Sequence, residues 1–423
     1  MAIDTGLDRW LKPSPPPNYD ETAGWRVVPL RDYQLPSFQR VLAQSRGTVV
    51  WPTGAGKSFL SLALTAHLKR RTVVLVNTIS LLEQWVKRFK DHAGIEAGVW
   101  YGERKDQRLV TISTYQSLYN HVEFIRDCPV VFFDEGDLAV ANHWGALVEE
   151  ASHGNHEYVV LLTATWPQNP EKSLALQSLL PLLHEYHPHE LRQVGAIVPI
   201  EHVRVEIPLN PTEKQEYDGV SENLDEAVKL LKTNTVRQIS AIAYAPITAP
   251  EGRERDEAQR RKNMAYNYLR LLSHRRRLLA NAEAKFPALH TIIEKHKNEK
   301  VLVFSDLLTT LTTAKEYLAP HGIEMRLLTG ETPKTERGSL LETWGTEYLV
   351  LGAAKVVDRG LDVPDVGVLA IVGSGSSKIQ ITQRIGRALR PSPGKERATV
   401  YVVYCKDTSE RRVYDAVRRV TAA

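Results

Sequence analysis

Val49-Val-Trp-Pro-Thr-Gly-Ala-Gly-Lys-Ser58 decides how the rest of the chain is read. A short apolar run, Thr48 to Trp51, leads into it, and an apolar helix-like pattern, Phe59-Leu-Ser-Leu-Ala-Leu64, follows it. Strand, glycine-rich loop and helix in that order make a phosphate-binding loop. Gly54 and Gly56 let backbone N–H groups turn inward around phosphate oxygens, and the helix N-terminus adds partial positive charge. Lys57 would reach the β- and γ-phosphates, and the Ser58 hydroxyl would ligate Mg²⁺. Thr53, Gly54, Ala55, Gly56, Lys57 and Ser58 are therefore candidate nucleotide-binding residues. The usual pattern has a glycine where this chain has Trp51, a departure that needs a reason.

Outward from this loop, short apolar runs recur: Val73-Val-Leu-Val76, Leu109-Val-Thr-Ile112, Val130-Val-Phe-Phe133 and Val159-Val-Leu-Leu162. Each is short for a helix and lacks polar alternation, as expected of parallel strands buried on both faces. Helical patterns lie between them, and Leu82, Trp85, Val86 and Phe89 share one apolar face. Trp85 reads as core. Alternation resumes at Val301-Leu-Val-Phe304, Tyr348-Leu-Val-Leu351, Val368-Leu-Ala-Ile-Val372 and Thr399-Val-Tyr-Val-Val-Tyr404. The stretch between, 205–297, has helical patterns such as Met264–Leu272 and dense charge, including Arg275-Arg-Arg277. The expected fold is α/β: two parallel-sheet lobes with a helical insertion. The expected divisions are a proline-rich leader at 1–25, a first lobe at 26–204, the insertion at 205–297 and a second lobe at 298–423.

Composition agrees with that plan. A chain of 423 residues exceeds one core at roughly 150 residues per domain. No apolar run approaches the ~18 residues of a membrane span, and the N-terminus has no secretory pattern. Cys128 and Cys405 are far apart and form no CxxC, which fits a reducing compartment and excludes a cysteine zinc cluster. A net charge of +4 permits a polyanionic partner without demanding one. The Arg275–Arg277 run reads as a solvated helix face, and Tyr266 and Tyr268 beside it as packing residues. His184, His187 and His189 in a proline-containing loop make a weak metal candidate.

Two further constellations carry chemistry. Val130-Val-Phe-Phe-Asp-Glu-Gly-Asp137 puts two acids directly after an apolar strand, at the sheet edge where open α/β folds bind ligands. Asp134 would hold Mg²⁺, and Glu135 would orient and deprotonate an attacking water. In Gln383-Arg-Ile-Gly-Arg-Ala-Leu-Arg390, Arg387 and Arg390 project to one side of a helix. Supplied from a second lobe, they would stabilise charge developing on a γ-phosphoryl group.

Together these elements resemble the superfamily-2 helicases and translocases, in the family's order, across about residues 28–405. Arg31-Asp-Tyr-Gln34 resembles the adenine-reading Q element, with Gln34 as reader. Thr53–Ser58 is similar to motif I, Asn77-Thr78 to the start of motif Ia, and Thr114-Tyr-Gln116 to the next strand-contacting motif. Asp134–Asp137 resembles motif II and Thr163-Ala-Thr165 motif III. Val303-Phe-Ser305 resembles motif IV, and Thr329-Gly330 a backbone-contacting turn after it. Lys355 through Asp362, with Gly360, resembles motif V, and Gln383–Arg390 motif VI.

The resemblance implies two RecA-like lobes that close on ATP and Mg²⁺. Lys57, Glu135, Gln383, Arg387 and Arg390 would be catalytic. Gln34 and Asp362 would join the phosphate loop and Asp134 in holding the nucleotide. Asn77, Thr78, Thr114, Gln116, Thr329, Gly330 and Lys355 would contact nucleic acid. Within the superfamily the chain looks most like the XPB branch and UvsW-type phage helicases, because Trp51-Pro52, Glu83-Gln-Trp85 and Gly373-Ser-Gly-Ser-Ser377 follow the XPB pattern. That branch implies action on duplex, forked or branched DNA by a monomer inside the cell, without a membrane, and leaves a phage origin open. Motif II ends in Asp137 where the family usually has His, the leader is too short for XPB's large N-terminal DNA-recognition domain, and no Arg-Glu-Asp wedge is evident. An RNA helicase, a non-unwinding motor subunit of a restriction or defence complex, and a nucleotide-gated clamp remain alternatives.

Overall fold

The structure is a computed structural model that describes residues 22–126, 128–136, 144–167, 169–233, 235–248, 251–354, 366–373, 395 and 397–422. Its strands are β1 (Arg46–Val50), β2 (Thr72–Val76), β3 (Gly98–Tyr101), β4 (Arg104–Asp106), β5 (Val110–Thr114), β6 (Val130–Asp134), β7 (Tyr158–Thr163) and β8 (Leu182–Glu185), then β9 (Ile200–Ile207), β10 (Val301–Ser305), β11 (Met325–Leu328), β12 (Val350–Ala354), β13 (Val368–Gly373) and β14 (Ala398–Cys405). They form two sheets, ordered β4-β3-β5-β2-β6-β7-β1-β8 and β11-β12-β10-β13-β14-β9. The pairings are parallel except for the antiparallel β3–β4 ribbon at one edge. This is the two-lobed RecA-like α/β architecture expected from the sequence.

The central strands β2, β5, β6, β10 and β12 are buried along their whole length. Helices cover both faces, so an apolar side chain is favoured at every position. The first sheet packs one face against a core containing Trp51, Leu62, Trp85 and Phe89, and the other against one containing Tyr115, Phe124, Phe133 and Leu161.

Two boundaries differ from the sequence reading. β9 spans the expected division at 204 and pairs with β14 along eight residues, Ala398↔Ile200 to Cys405↔Ile207, so it is an edge of the second sheet. Its Glu201, His202, Arg204 and Glu206 interrupt the apolar residues, and Glu201, Arg204 and Glu206 are exposed, because an edge strand is partly solvated. Likewise the helix Lys285–Lys295 lies before the expected division at 297, yet Phe286, Leu289, Ile292 and Ile293 pack into the second lobe's core. Between them, the helices Pro211–Leu231, Val236–Tyr244 and Arg253–Ala280 share a separate core that includes Leu224, Leu231, Ile239, Ala265 and Tyr268.

The arginine run at the base of that helical unit is not simply a solvated face. Arg276 forms an ion pair with Asp306, which is buried just beyond β10, and Arg275 donates to Ser221 Oγ at 3.4 Å. Tyr268 is buried in the helical core, whereas Tyr266 is exposed and does not pack as expected. Cys128 and Cys405 are both free and buried. His184 Nδ1 lies 2.5 Å from Ser37 Oγ, and His187 heads the short helix Pro188–Gln193.

Candidate nucleotide site at the edge of the first sheet

β1 ends at Val50, and the loop that follows delivers the chain into α2 (Lys57–Leu68). Gly54 and Gly56 have φ of 91° and 81°, a backbone region that side-chain-bearing residues seldom occupy. Gly56 is needed for space as well, because a Cβ there would meet Gln34 Nε2 at 2.7 Å. As the residue preceding α2, Gly56 supplies no side-chain cap, so the helix start presents backbone N–H groups and its partial positive charge. Lys57 Nζ donates to the carbonyl of Trp51 at 2.7 Å, which holds the ammonium at the mouth of the loop.

Trp51 stands where the usual pattern has glycine, and the structure supplies the reason. Its indole is fully buried between Tyr33 and Tyr186, with ring centroids 6.1 and 6.0 Å away. Its backbone N–H donates to the carbonyl of Thr163 at 3.0 Å. The residue thus anchors the phosphate loop to β7 and to the segment after β8. Truncating a buried indole typically costs about 3–5 kcal/mol, so glycine at this position would loosen the loop it is meant to free.

Gln34 lies beneath the same loop. Its Nε2 donates to the carbonyls of Ala55 and Gly56 at 3.3 and 3.4 Å, and its Oε1 accepts from Arg31 N at 3.0 Å. Tyr33 also donates to the Ala55 carbonyl, at 2.9 Å. The Q-like element is therefore fastened to the loop backbone.

Asp134 closes β6 and lies one strand from β7, which separates β6 from β1. It is buried, and its Oδ2 accepts a hydrogen bond from Trp85 Nε1 at 2.8 Å. Burial holds this carboxyl above the usual carboxylate range, opposed by the indole hydrogen bond and by the positive charges of Lys57 and Arg88. Arg88, the last residue of α3 (Ile79–Arg88), donates from Nη1 to Ser58 Oγ at 2.8 Å. One helix thus reaches both oxygens proposed for the metal: Trp85 holds the carboxylate and Arg88 the hydroxyl.

Glu135 follows with a positive φ of 53°, and Gly136 is packed so closely that a Cβ would meet the Leu161 side chain at 2.3 Å. This turn is wedged between neighbouring strands, and small size at 136 is obligatory. Thr163 Oγ1 accepts from Thr165 N at 3.2 Å, which shapes the turn after β7.

Other sequence candidates are distributed more widely. Thr78 and Thr114 accept hydrogen bonds from Leu81 N and Ser117 N, both at 3.2 Å, and so cap α3 and α4 (Tyr115–Tyr119). Asn77 is half-buried and Gln116 exposed beside them. Thr329 and Gly330 form a turn after β11, in which Glu331 N donates to Thr329 Oγ1 at 3.2 Å and Arg337 Nη2 to the Gly330 carbonyl at 2.9 Å. Asp137, Lys355, Gly360, Asp362, Gln383, Arg387 and Arg390 lie outside the described residues. Arg88 reads from the sequence as part of the polar face of an amphipathic helix, with nothing local to mark its contact with Ser58 Oγ. Trp85 reads from the sequence as core; it is buried, and its indole also meets Asp134.

The residues fit a magnesium nucleotide. A hydroxyl and a carboxylate supply hard oxygen donors, and an ammonium and a helix start supply the complement to phosphate. A phosphate loop and an acidic strand end on one parallel sheet, with a second parallel sheet downstream, define a two-lobed nucleotide-driven motor.

Residues 27–168 match the family model for the res subunit of type III restriction enzymes, and residues 284–392 that for the helicase conserved C-terminal domain. The chain is 27% identical over 396 residues to the DNA 3′-5′ translocase XPB2 of Sulfurisphaera tokodaii, covering 91% of this chain and 84% of the relative. It is 26% identical to the DNA 3′-5′ helicase XPB of Mycobacterium tuberculosis, covering 91% of this chain and 62% of the relative. It is 24% identical to the general transcription and DNA repair factor IIH helicase/translocase subunit XPB of Danio rerio, covering 90% of this chain and 45% of that longer protein. The helicase domain of Pyrococcus furiosus Hef shares the fold, with a TM-score of 0.59 at 20% identity over 92% of this chain and 98% of that one. The chain thus carries matches to both domain models and is similar along about nine-tenths of its length to XPB-type DNA helicases and translocases.

Proposed function

We propose that the chain is an ATP-dependent DNA helicase or translocase that couples hydrolysis to movement on, or remodelling of, duplex or branched DNA. The observation that carries this reading is the convergence of Lys57, Ser58, Asp134, Trp85 and Arg88 at the carboxyl edge of one parallel sheet, in a chain similar to these helicases and translocases. Helicases of this superfamily use ATP; that magnesium accompanies it here is part of the proposal.

In the reaction, the backbone of Thr53–Ser58 and the start of α2 bind and orient the phosphates, with Lys57 neutralising the β- and γ-oxygens. Ser58 Oγ and Asp134 would hold Mg²⁺, which would supply positive charge to offset the charge developing on the transferring phosphoryl group. Glu135 orients the attacking water and accepts its proton. Gln383, Arg387 and Arg390 are proposed to complete the site from the second lobe, with Asp362, so that hydrolysis depends on lobe closure. Gln34 supports the loop and is proposed to read the adenine edge. Nucleic acid is proposed to lie along Asn77, Thr78, Thr114, Gln116, Thr329, Gly330 and Lys355, held mainly through phosphates and therefore with little sequence preference.

DNA is favoured over RNA because the relatives above are named for DNA, and their 3′-5′ direction is the one expected. Among the described residues, no helix is long and apolar enough to cross a membrane. The test is ATPase and strand displacement on matched single-stranded, duplex, forked and junction DNA and on RNA of the same sequence. Stimulation and displacement on DNA are expected. Stronger stimulation by RNA would overturn the substrate assignment, and stimulation without displacement would restrict the protein to translocation.

A further inference from the structure

We propose that Tyr115 is a positioning residue that transmits nucleic-acid contact at Thr114–Gln116 to the catalytic turn at Glu135. The proposal rests on the helicase reading above and deepens it. Tyr115 is fully buried as the first residue of α4, immediately after Thr114 at the end of β5. A buried phenol needs a partner for its hydroxyl, and this one donates to the backbone carbonyl of Asp134 at 2.7 Å.

That contact falls at a critical place. The β2–β6 pairing ends at Leu75 opposite Phe133, and at the next residue the Asp134 carbonyl is met by Tyr115. The Asp134 carbonyl belongs to the same rigid peptide plane as the N–H of Glu135. Tyr115 thus fixes the tilt of the peptide that launches Glu135 into its positive φ of 53°. On the far side of the turn, Leu161 leaves Gly136 no room for a Cβ, so the turn is held between two fixed walls.

The phenol ring is equally constrained. It stacks on Trp144 at 5.3 Å with an interplanar angle of 12°, and on Phe133 at 6.3 Å with 11°. Phe133 is the residue before Asp134, and Trp144 precedes the helix Gly145–His153. A shift or rotation of α4 therefore turns this stack and moves the hydroxyl against the Asp134 carbonyl. Interiors packed to this density transmit displacement rather than absorb it. Gln116, the next residue, is exposed and available to a strand backbone. The route from strand to catalytic base is thus three consecutive residues and one hydrogen bond.

The test is Tyr115→Phe, which removes only the hydroxyl. In the purified full chain, ATP turnover is measured with and without a single-stranded oligonucleotide and a forked duplex. Fluorescent-nucleotide affinity, DNA affinity and thermal midpoint are measured in parallel. The expected result is that the DNA-stimulated kcat falls about tenfold, the equivalent of ~1.4 kcal/mol, while the KM for ATP and both affinities stay within about twofold. Stimulation equal to wild type in Tyr115→Phe would overturn the proposal. A wild-type enzyme that no nucleic acid stimulates would overturn the helicase reading instead. A second measurement does not depend on the variant folding: on the wild type, amide exchange across 128–136 should change when DNA binds. An unchanged rate there, with protection at 114–119, would also overturn the proposal.

Discussion

Trp85 Nε1 donates to Asp134 Oδ2 across 2.8 Å inside the sheet edge, so an indole and a carboxylate separated by 49 residues in sequence act as one unit. The hydrogen bond fixes the carboxylate rotamer and stabilises its charged form against burial. Replacing Trp85 by Phe keeps most of the apolar volume and removes the donor. Desolvation then acts on Asp134 with less opposition and moves its pKa further up. A carboxyl must lose its proton to hold a metal, so the acid limb of the pH–rate profile should shift to higher pH. Hydrogen bonds to charged groups contribute about 1.5–3 kcal/mol, so the Mg²⁺ concentration for half-maximal hydrolysis should rise at least about tenfold. An unchanged metal requirement and acid limb would show that Trp85 serves packing alone.

Arg88 predicts the opposite shift in metal requirement. Its guanidinium donates to Ser58 Oγ at 2.8 Å and adds positive potential at Asp134. A divalent cation placed on those oxygens meets a like charge from Arg88. Arg88→Ala should therefore lower the half-saturating Mg²⁺ concentration several-fold, as read by metal titration of fluorescent-nucleotide binding. A raised requirement would mean that Arg88 organises Ser58 rather than opposing the metal. Opposite movements in Trp85→Phe and Arg88→Ala would separate the two roles that α3 plays.

The pair Lys57→Ala and Glu135→Gln separates binding from chemistry. Lys57 Nζ, held 2.7 Å from the Trp51 carbonyl, is the cation at the phosphate loop, and its loss should lower turnover by about 10²–10³. Glu135→Gln keeps the size of the side chain but removes the proposed base, and should lower turnover by about 10²–10⁴ while leaving nucleotide affinity near wild type. Normal turnover in either variant, measured as phosphate release with saturating DNA, would remove that residue from its assigned role.

How far the sequence reveals this site follows from where the physical signal lies. Val130–Phe133 and Val301–Phe304 are legible as strands because burial on both faces leaves no polar positions. β9 is not, because an edge strand alternates and its partner β14 lies some 200 residues away. The phosphate loop is legible because glycines with positive φ and a helix start leave a local pattern. The Trp85–Asp134 and Arg88–Ser58 contacts leave none. They join residues on different strands and helices, and only the packing of α3 over the sheet brings them together. Thr78 and Thr114 show a related ambiguity: the same threonine that marks a strand-contacting motif is also an ordinary helix cap.

The second lobe has a buried ion pair whose removal should be felt throughout that lobe. Lys285 Nζ lies 2.8 and 2.9 Å from the two carboxylate oxygens of Glu410, and donates to the carbonyl of Val372 at 2.7 Å. The lysine side chain is 1% exposed and the glutamate 10%. Glu410 Oε2 also accepts from Cys405 N at 3.0 Å, so the pair ties the helix Lys285–Lys295 to the ends of β13 and β14. Lys285→Met keeps the length of the stem but leaves Glu410 charged and buried. Breaking one half of such a pair typically destabilises by about 3–5 kcal/mol, whereas replacing both halves with apolar residues is often near neutral. Urea unfolding should therefore show a large loss for Lys285→Met and recovery of most of it in Lys285→Met with Glu410→Leu. If the double variant is as unstable as the single one, then Lys285 matters chiefly as the donor to the Val372 carbonyl rather than as the partner of Glu410.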